Sequence, residues 1–523
     1  MLILQARSLA FRFDTQPDPL FTDVDLSLYA GEVAALLGNN GVGKTTLLHV
    51  LLGNLSPTAG ELTLPERFKM LRQEETFTSS GNVLDTLLTP TPKLAELHRE
   101  ITTSERARLP DPLRYADAVA EFSQQGGYEL LQIFEAELDA LEFPPNTLER
   151  PAASLSGGER RRLQLMSTFL NSPDLVVLDE PNNYLDEVAR DYLVRKLQGF
   201  TGACLLVSHD RWLLDEVATR ILELKHRRLE SYTGNYTTFR NTKDAIHKEK
   251  TRTKEKLESE ISKLQAAERT YKIWGARKER EKAGAVDKGF IGARAARLNK
   301  RGILAKERLT KRVEMLKTAK PWLDKRYELS FEQAKPPTGT CLSVRELGFG
   351  YEGEVFSNLS LTLTWGERLA LRGANGSGKS TFVKLLLGEL EPQNGKLLWS
   401  KGVTLGYLPQ SWQTPDDVTK AADWFLDDEA QTARLMIGTL GVSGELFYTE
   451  LDALSEGQKR KVRLVRTLLN KPNVLILDEP STHLDYESVE MLEHALIDFT
   501  GTLILVTHDK YLRERLCNRE LIL

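Results

Sequence analysis

Two stretches of this chain have the residue types and spacing of a loop that cradles phosphates: Gly38-Asn39-Asn40-Gly41-Val42-Gly43-Lys44-Thr45-Thr46 and Gly373-Ala374-Asn375-Gly376-Ser377-Gly378-Lys379-Ser380-Thr381. Glycines let successive backbone N–H groups turn toward phosphate oxygens at close range. Lys44 and Lys379 are then placed for the β- and γ-phosphates, and the hydroxyls of Thr45 and Ser380 for Mg²⁺. Each loop is followed by an apolar run ending in Asp-Glu: Leu175-Val-Val-Leu-Asp179-Glu180 and Val474-Leu-Ile-Leu-Asp478-Glu479. Asp179 and Asp478 are candidate metal ligands, and Glu180 and Glu479 candidate general bases that polarise an attacking water. His209 and His508 follow the next apolar runs and are read as side contacts to a γ-phosphate. Gln73 and Gln410 follow short runs and are read as partners of the metal or the water. A lone phosphate loop is a moderate signal. A whole set, repeated in the same order, specifies nucleoside triphosphate hydrolysis at two sites.

That chemistry dictates the elements that must carry it. Carboxylates at the ends of four-residue apolar runs imply buried parallel strands whose carboxyl ends converge on the ligand. The chain is expected to be α/β: two tandem P-loop ATPase domains, each a mixed sheet wrapped by helices, joined by a long α-helical hairpin. The duplication places domain one at 1–239 and domain two at 338–523, with a linker at 240–337 that ends at the Pro336-Pro337 break. From Gln73 to Ser156 there are 83 positions, against 45 from Gln410 to Ser455. The surplus, about 90–127, is a short arm-like insertion.

The linker differs in character from the rest. Between Arg240 and Glu328 stand 27 Lys and Arg against 13 Asp and Glu, a formal +14 on a chain whose net charge is −4. A bare charge run is usually just a solvated face, but asymmetry this large points to a polyanionic partner. Leu257, Ile261, Leu264 and Ala267 recur at helical spacing, and Leu298, Leu304, Leu309 and Met315 form a second apolar series. Glycine-rich 284–292, carrying Phe290 and Ile291, reads as the turn between them.

Composition bounds the rest. With 523 residues, 28% of them charged and 41% hydrophobic, the chain has ample length for several cores. No apolar stretch approaches the ~20 residues of a membrane span, and no signal peptide is read at the N-terminus. Three scattered cysteines, Cys204, Cys341 and Cys517, argue for a reducing, cytoplasmic setting and against a metal cluster.

Leu155-Ser156-Gly157-Gly158-Glu159 and Leu454-Ser455-Glu456-Gly457-Gln458 distinguish the chain from other P-loop enzymes and resemble the signature of the ABC ATPases. Each opens a basic helix, Arg160-Arg161-Arg162 or Lys459-Arg460-Lys461, offering a helix N-terminus and a serine hydroxyl to an anion. The resemblance implies a head-to-tail pairing inside one monomer. Site one would join Lys44, Asp179 and Glu180 to Ser455 and Gly457; site two would join Lys379, Asp478 and Glu479 to Ser156 and Gly158. Phe13 and Tyr351 hold matching places near the first strand of each half and are candidates for stacking on adenine.

The tandem cassettes, the long linker and Gly234-Asn235-Tyr236-Thr237-Thr238-Phe239 leading into it are similar to the ABC-F family of ribosome-binding translation factors. Lys278 to Gly284, Asp287 to Gly292, Ala295 to Arg301 and the Ser455-Glu456-Gly457-Gln458 signature resemble the family's antibiotic-resistance type. The resemblance implies a bacterial 70S ribosome as partner, with contacts to 23S rRNA and P-site tRNA. It also implies action at the E site with the linker tip toward the peptidyl-transferase centre, and protection against lincosamides, pleuromutilins or streptogramin A. The alternatives are general rescue of stalled translation, the energy subunit of a membrane transporter, and an ATP-gated DNA-binding protein. A transporter subunit would not explain the basic linker, and the DNA-repair type carries long coiled coils or zinc modules. The loop after Glu180 departs from the family pattern, reading Asn182-Asn183-Tyr184-Leu185-Asp186, while the second copy reads Ser481-Thr482-His483-Leu484-Asp485. Unequal hydrolysis at the two sites is expected from that difference.

Overall fold

Strands that are apolar on both faces form the centre of each half, because a parallel sheet is covered by helices on either side. The computed structural model describes the chain except residues 15–16, 72–80, 107–110, 183–184, 186, 284–306, 319–328, 330, 334–336, 352, 374–375, 411–418 and 427, and except the side chains of 267–268 and 271–283. In the first half, six strands lie in the order Phe68–Leu71, Leu175–Asp179, Ala203–Val207, Val33–Leu37, Arg220–Lys225 and Arg228–Thr233. All neighbours are parallel except the last pair. Every residue of Val33–Leu37, Leu175–Asp179 and Ala203–Val207 is buried.

The second half repeats the arrangement with five parallel strands: Leu405–Leu408, Val474–Asp478, Thr502–Val506, Arg368–Arg372 and Arg519–Ile522. A three-stranded antiparallel sheet accompanies each core, Phe21–Tyr29, Leu2–Phe11 and Ala59–Thr63 in one and Glu354–Thr364, Thr340–Gly350 and Asn394–Trp399 in the other. The first half also carries three helices, Pro92–Arg106, Pro112–Gln124 and Gly127–Ala140, where the second has Ala430–Thr439.

Met1–Tyr236 and Tyr327–Leu523, the two cassettes, form one compact unit; Thr237–Arg326 forms another. The second unit holds most of the helix Tyr236–Ala283 and a helix over 307–318. These helices meet through Ile261, Val313 and Leu316, flanked by Leu257 and Leu264. The expected second stripe is therefore corrected: Met315 is 63% exposed, and Val313 and Leu316 take the packed face. Leu298, Leu304, the 284–292 turn and the side chain of Ala267 fall outside the described residues.

Among the described residues several polar groups join the two cassettes. Arg211, with no exposed surface, pairs with Glu493 of the other cassette, and its Nη2 lies 3.6 Å from Asp509. Arg515 joins the same Glu493 at 2.5 Å. The Tyr486 hydroxyl donates to Glu223 at 2.7 Å, and the Tyr236 hydroxyl donates to Glu490 at 2.7 Å. Removing one partner of a fully buried pair leaves an uncompensated charge. Arg211→Ala, which takes a partner from both Glu493 and Asp509, is expected to lower stability by about 3–5 kcal/mol; denaturant unfolding beside the parent measures this.

Candidate functional site

The phosphate loops sit at the carboxyl ends of Val33–Leu37 and Arg368–Arg372 and run straight into the helices Lys44–Leu51 and Lys379–Leu387. Gly43 and Gly378 cap those helices in the left-handed region, with φ of 104° and 98°, and offer no capping side chain. A Cβ at Gly43 would lie 2.7 Å from Leu20 and one at Gly378 2.5 Å from Val355. Both the conformation and the space demand glycine, and the uncapped helix N–H groups are left for an anion. Lys44 Nζ donates to the Gly38 and Asn39 carbonyls at 2.6 and 3.2 Å, and Lys379 Nζ to the Gly373 carbonyl at 2.7 Å. Burial lowers the pKa of both lysines, against the opposing pull of nearby carboxylates. Thr45 and Ser380 are exposed one position on, Thr46 lines the first cavity, and Thr381 is buried. A Cβ at Gly41 or Gly376 would meet open space.

Asp179 and Asp478 end their strands as expected, and burial raises the pKa of each carboxyl, Asp478 to about 6. The next residue turns sharply. Glu180 and Glu479 have φ of 46° and 47°, and their N–H groups donate to Val207 and Val506 at 2.8 Å each. Non-glycine residues rarely hold this conformation, and it is the sort of strain that functional positions retain. Burial pushes Glu180 up to about 8, only partly countered by Lys44, and Glu479 up to about 7. The His209 Nε2 lies 3.5 Å from Glu180 Oε1, and burial together with Lys44 pushes the imidazole down to about 3. In the second copy the His508 N–H donates to both Glu479 carboxylate oxygens, at 3.0 and 3.3 Å. A carboxyl titrating near neutrality beside a fixed imidazole suits proton transfer from water.

Each signature serine opens its helix through a reciprocal cap. Ser156 accepts from the Glu159 N–H at 3.2 Å, and Ser455 from the Gln458 N–H at 3.3 Å. Their hydroxyl hydrogens remain available to a ligand. Two of the basic residues behind Ser455 are turned inward. Arg460 is buried and donates to the carbonyls of Pro409, Gln410, Asp478 and Glu479 at 2.5–3.0 Å, binding the signature helix to its own catalytic strand. Lys461 is buried against Asp485 at 2.7 Å. Gln410 contributes its carbonyl here while its side chain is exposed, and Gln73 falls outside the described residues.

A cavity of about 570 Å³ gathers these parts from both cassettes. Lys44, Asp179, Glu180 and His209 line one side; Ser455, Gly457 and His483 line the other. The walls are hydrogen-bonded across the boundary. Asn40 Nδ2 donates to the His483 carbonyl at 2.9 Å, the Asn40 N–H to Asp485 at 3.3 Å, and Asn39 Nδ2 to Glu487 at 2.8 Å. Lys225 also meets Glu487 at 2.8 Å. Phe13, 39% exposed, lines this cavity with its ring edge-on to Phe11 at 5.0 Å. Tyr351, 63% exposed, has the same relation to Phe349 at 5.2 Å. Ser156 and Gly158 begin their helix, but Asn183, Tyr184, Asp186, Ala374 and Asn375, the counterparts of the bonded loop residues, are outside the described residues. Sequence reading quoted Asp485 without a role and missed Glu487 and Arg190, which also lines the cavity; the signal of the last two lay at the starts of the helices after those loops, where the two copies differ, Val188 against Glu487 and Arg190 against Val489.

Two such sets define a tandem ABC ATPase, and sequence comparison agrees. A family model described as ABC transporter matches residues 21–183 and 356–482, and a second of the same description matches 222–288. The energy-dependent translational throttle protein EttA of Mycobacterium tuberculosis is 30% identical, covering 95% of this chain and 87% of its own. Ribosome protection protein VmlR of Bacillus subtilis is 28% identical over 98% of this chain and 85% of its own. The chain belongs to the ABC-F family and is an ATPase. Among solved structures, an archaeal ribosome recycling factor, aABCE1, in complex with the stalk protein aP1, aligns with a TM-score of 0.57 at 19% identity, over 98% of this chain and 87% of that one, and so shares the fold. Among the described residues no helix is long and apolar enough to cross a membrane.

A Cβ at Gly457 would stand 2.5 Å from both Asn40 Nδ2 and the His483 carbonyl. Gly457→Ala must therefore displace the Asn40 amide and break the bond it donates across the boundary to the His483 carbonyl. The expected result is a loss of ATP-driven compaction in small-angle scattering and at least an about tenfold fall in ATP turnover, equivalent to about 1.4 kcal/mol of transition-state stabilisation; unchanged compaction would contradict the composite cavity.

Proposed function

We propose that the chain is an ATP-gated ribosome-binding factor: closure of the cassettes on two ATP molecules creates the binding form, and hydrolysis releases it. The observation that carries this reading is the cavity whose walls come from both cassettes, since a nucleotide held there by Lys44 and capped by Ser455 joins the two halves. The relatives' names supply the partner, one a translational throttle and the other a ribosome protection protein. The basic linker supplies the means, because Lys and Arg on a helical stem match rRNA phosphates.

In this reading Glu180 and Glu479 polarise the lytic water, with His209 and His508 beside them. Thr45, Asp179 and Gln73 hold Mg²⁺ at site one, and Ser380, Asp478 and Gln410 at site two. The donors fit the ion: hydroxyl and carboxylate oxygens suit a hard dication. Bound Mg²⁺ neutralises charge developing on the β- and γ-phosphates. Phe13 and Tyr351 stack on adenine. The protein works as a cytoplasmic monomer at the E site of the 70S ribosome, its linker near P-site tRNA and 23S rRNA. The tip at Phe290 and Ile291 points toward the peptidyl-transferase centre, where it displaces lincosamides, pleuromutilins or streptogramin A.

Replacing both Glu180 and Glu479 by Gln should slow turnover by roughly 10²–10⁴-fold while ATP still binds. That variant should pellet with ribosomes in ATP, as the parent should only with a non-hydrolysable analogue. Normal turnover removes the two glutamates from the mechanism, and no pelleting in either case favours the transporter-subunit alternative.

The linker gives a separate test. Replacing Lys254, Arg294 and Arg297 by Gln should weaken pelleting and lower its log–log salt slope by about one for each phosphate that is no longer neutralised. Phe290→Ala with Ile291→Ala should leave pelleting intact while abolishing any rise in minimum inhibitory concentration of a peptidyl-transferase-centre drug. A parent that protects against no such drug turns the reading to general rescue of stalled translation.

A further inference from the structure

Arg190 lies four residues after Asp186 in the first cassette; the matching place after Asp485 is Val489, which is buried in the core of the second. A guanidinium thus stands in one copy where the other has a small apolar group. Its side chain is 11% exposed and spans the cassette boundary. One end donates to Asp210 Oδ2 at 2.6 Å. Asp210 follows His209, accepts a second bond from Asn182 Nδ2 at 2.6 Å, and caps the next helix through the Leu213 N–H. Asn182 in turn follows Glu180 by two residues, so this end of Arg190 rests on the catalytic loops of site one.

The other end donates to the His508 carbonyl of the second cassette. The N–H of that same His508 holds the Glu479 carboxylate. The Trp212 ring takes both the Arg190 guanidinium, at 5.1 Å from its centroid, and Lys510 of the second cassette, at 5.6 Å. A planar guanidinium can hold two acceptors at fixed angles, as an ammonium cannot. Val489 has no donor with which to make the reverse connection.

We propose that Arg190 is a positioning residue for hydrolysis at site two: it fixes the His508 loop, and with it Glu479, in a place set by the loops of site one, and nothing equivalent acts from Val489 on site one. The proposal rests on the reading that Glu180 and Glu479 are the two bases. It deepens that reading by making the sites inequivalent in a stated direction.

Site-resolved kinetics on the full chain test it. In an E180Q background the remaining turnover belongs to site two, and in an E479Q background to site one. Removing a hydrogen bond from a charged donor corresponds to a factor of about ten to a hundred. R190V should therefore lower kcat in the E180Q background by about tenfold or more with KM within about twofold, and lower kcat in the E479Q background by a severalfold smaller factor, since Arg190 also rests on the loops of site one. R190K, keeping charge and one bond at a time, should recover part of the site-two rate. Equal losses in both backgrounds, or a loss in neither, overturn the proposal; equal losses with a lowered melting temperature and no rescue by R190K identify Arg190 as a structural brace. If E180Q and E479Q together leave turnover normal, the failure belongs to the assignment of the bases and not to Arg190.

Discussion

Burial of charge at the carboxyl ends of the central strands is the constraint on which the rest of the structure depends. Lys44, Asp179, Glu180 and His209 are gathered where apolar strands stop, and removal from water disfavours the ionised form of each. Burial of this sort is tolerated only when each group has partners or a ligand to complete it. Lys44 turns back on its own loop carbonyls; Glu180 has an oxygen with no hydrogen-bond partner among the described residues. In the proposed reading an anion with its metal answers all of these deficits at once: phosphates for Lys44 and the uncapped helix, a dication for Asp179, a water for Glu180. The same site is then complementary to ATP because it is poorly solvated without it.

Duplication gives the second cassette the same frame, and the differences between copies are informative because the sheets are so alike. The strand order around the catalytic strand is identical, and Glu180 and Glu479 share their unusual φ within one degree. Where the copies diverge is in the loops and helices that meet across the boundary. Burial by one cassette or by the other fixes different side chains there, as with Arg190 and Val489. Sites that are chemically alike are in this way mechanically distinct.

The motif residues are legible in the sequence because each one's chemistry requires a particular residue at a particular spacing, and the apolar runs before Asp179 and Asp478 declare buried parallel strands. The direction in which charged side chains face is not legible. Arg460 and Lys461 are legible only as part of a basic helix; a helix packed along a sheet turns the fifth and sixth residues after its cap inward, where carbonyls and Asp485 satisfy them. The packed face of the 307–318 helix escapes the sequence for a related reason: leucine and methionine spacing suggests Met315, while a β-branched Val313 and Leu316 make the contact. Partners decide such questions, and a partner distant in sequence leaves no local trace. Arg190 shows the extreme case, since its acceptor lies 318 residues away.

The chemistry of the cassette boundary bears on how such a machine opens. Three apolar clusters, around Leu36, Leu371 and Leu477, lie each within a single cassette. The boundary itself is crossed by Arg211 with Glu493, Lys225 with Glu487, Tyr486 with Glu223 and the asparagines of the first phosphate loop. Buried ion pairs and hydrogen bonds add little net stability over an apolar contact of the same area, because desolvation offsets much of their attraction. They do impose register, since a shifted pair leaves a charge unmatched in low dielectric. An apolar boundary of equal area would hold the halves together whatever the nucleotide state. A polar one leaves the closed arrangement specific in geometry, and in the proposed reading the difference in a nucleotide's affinity for the closed and open states decides between them.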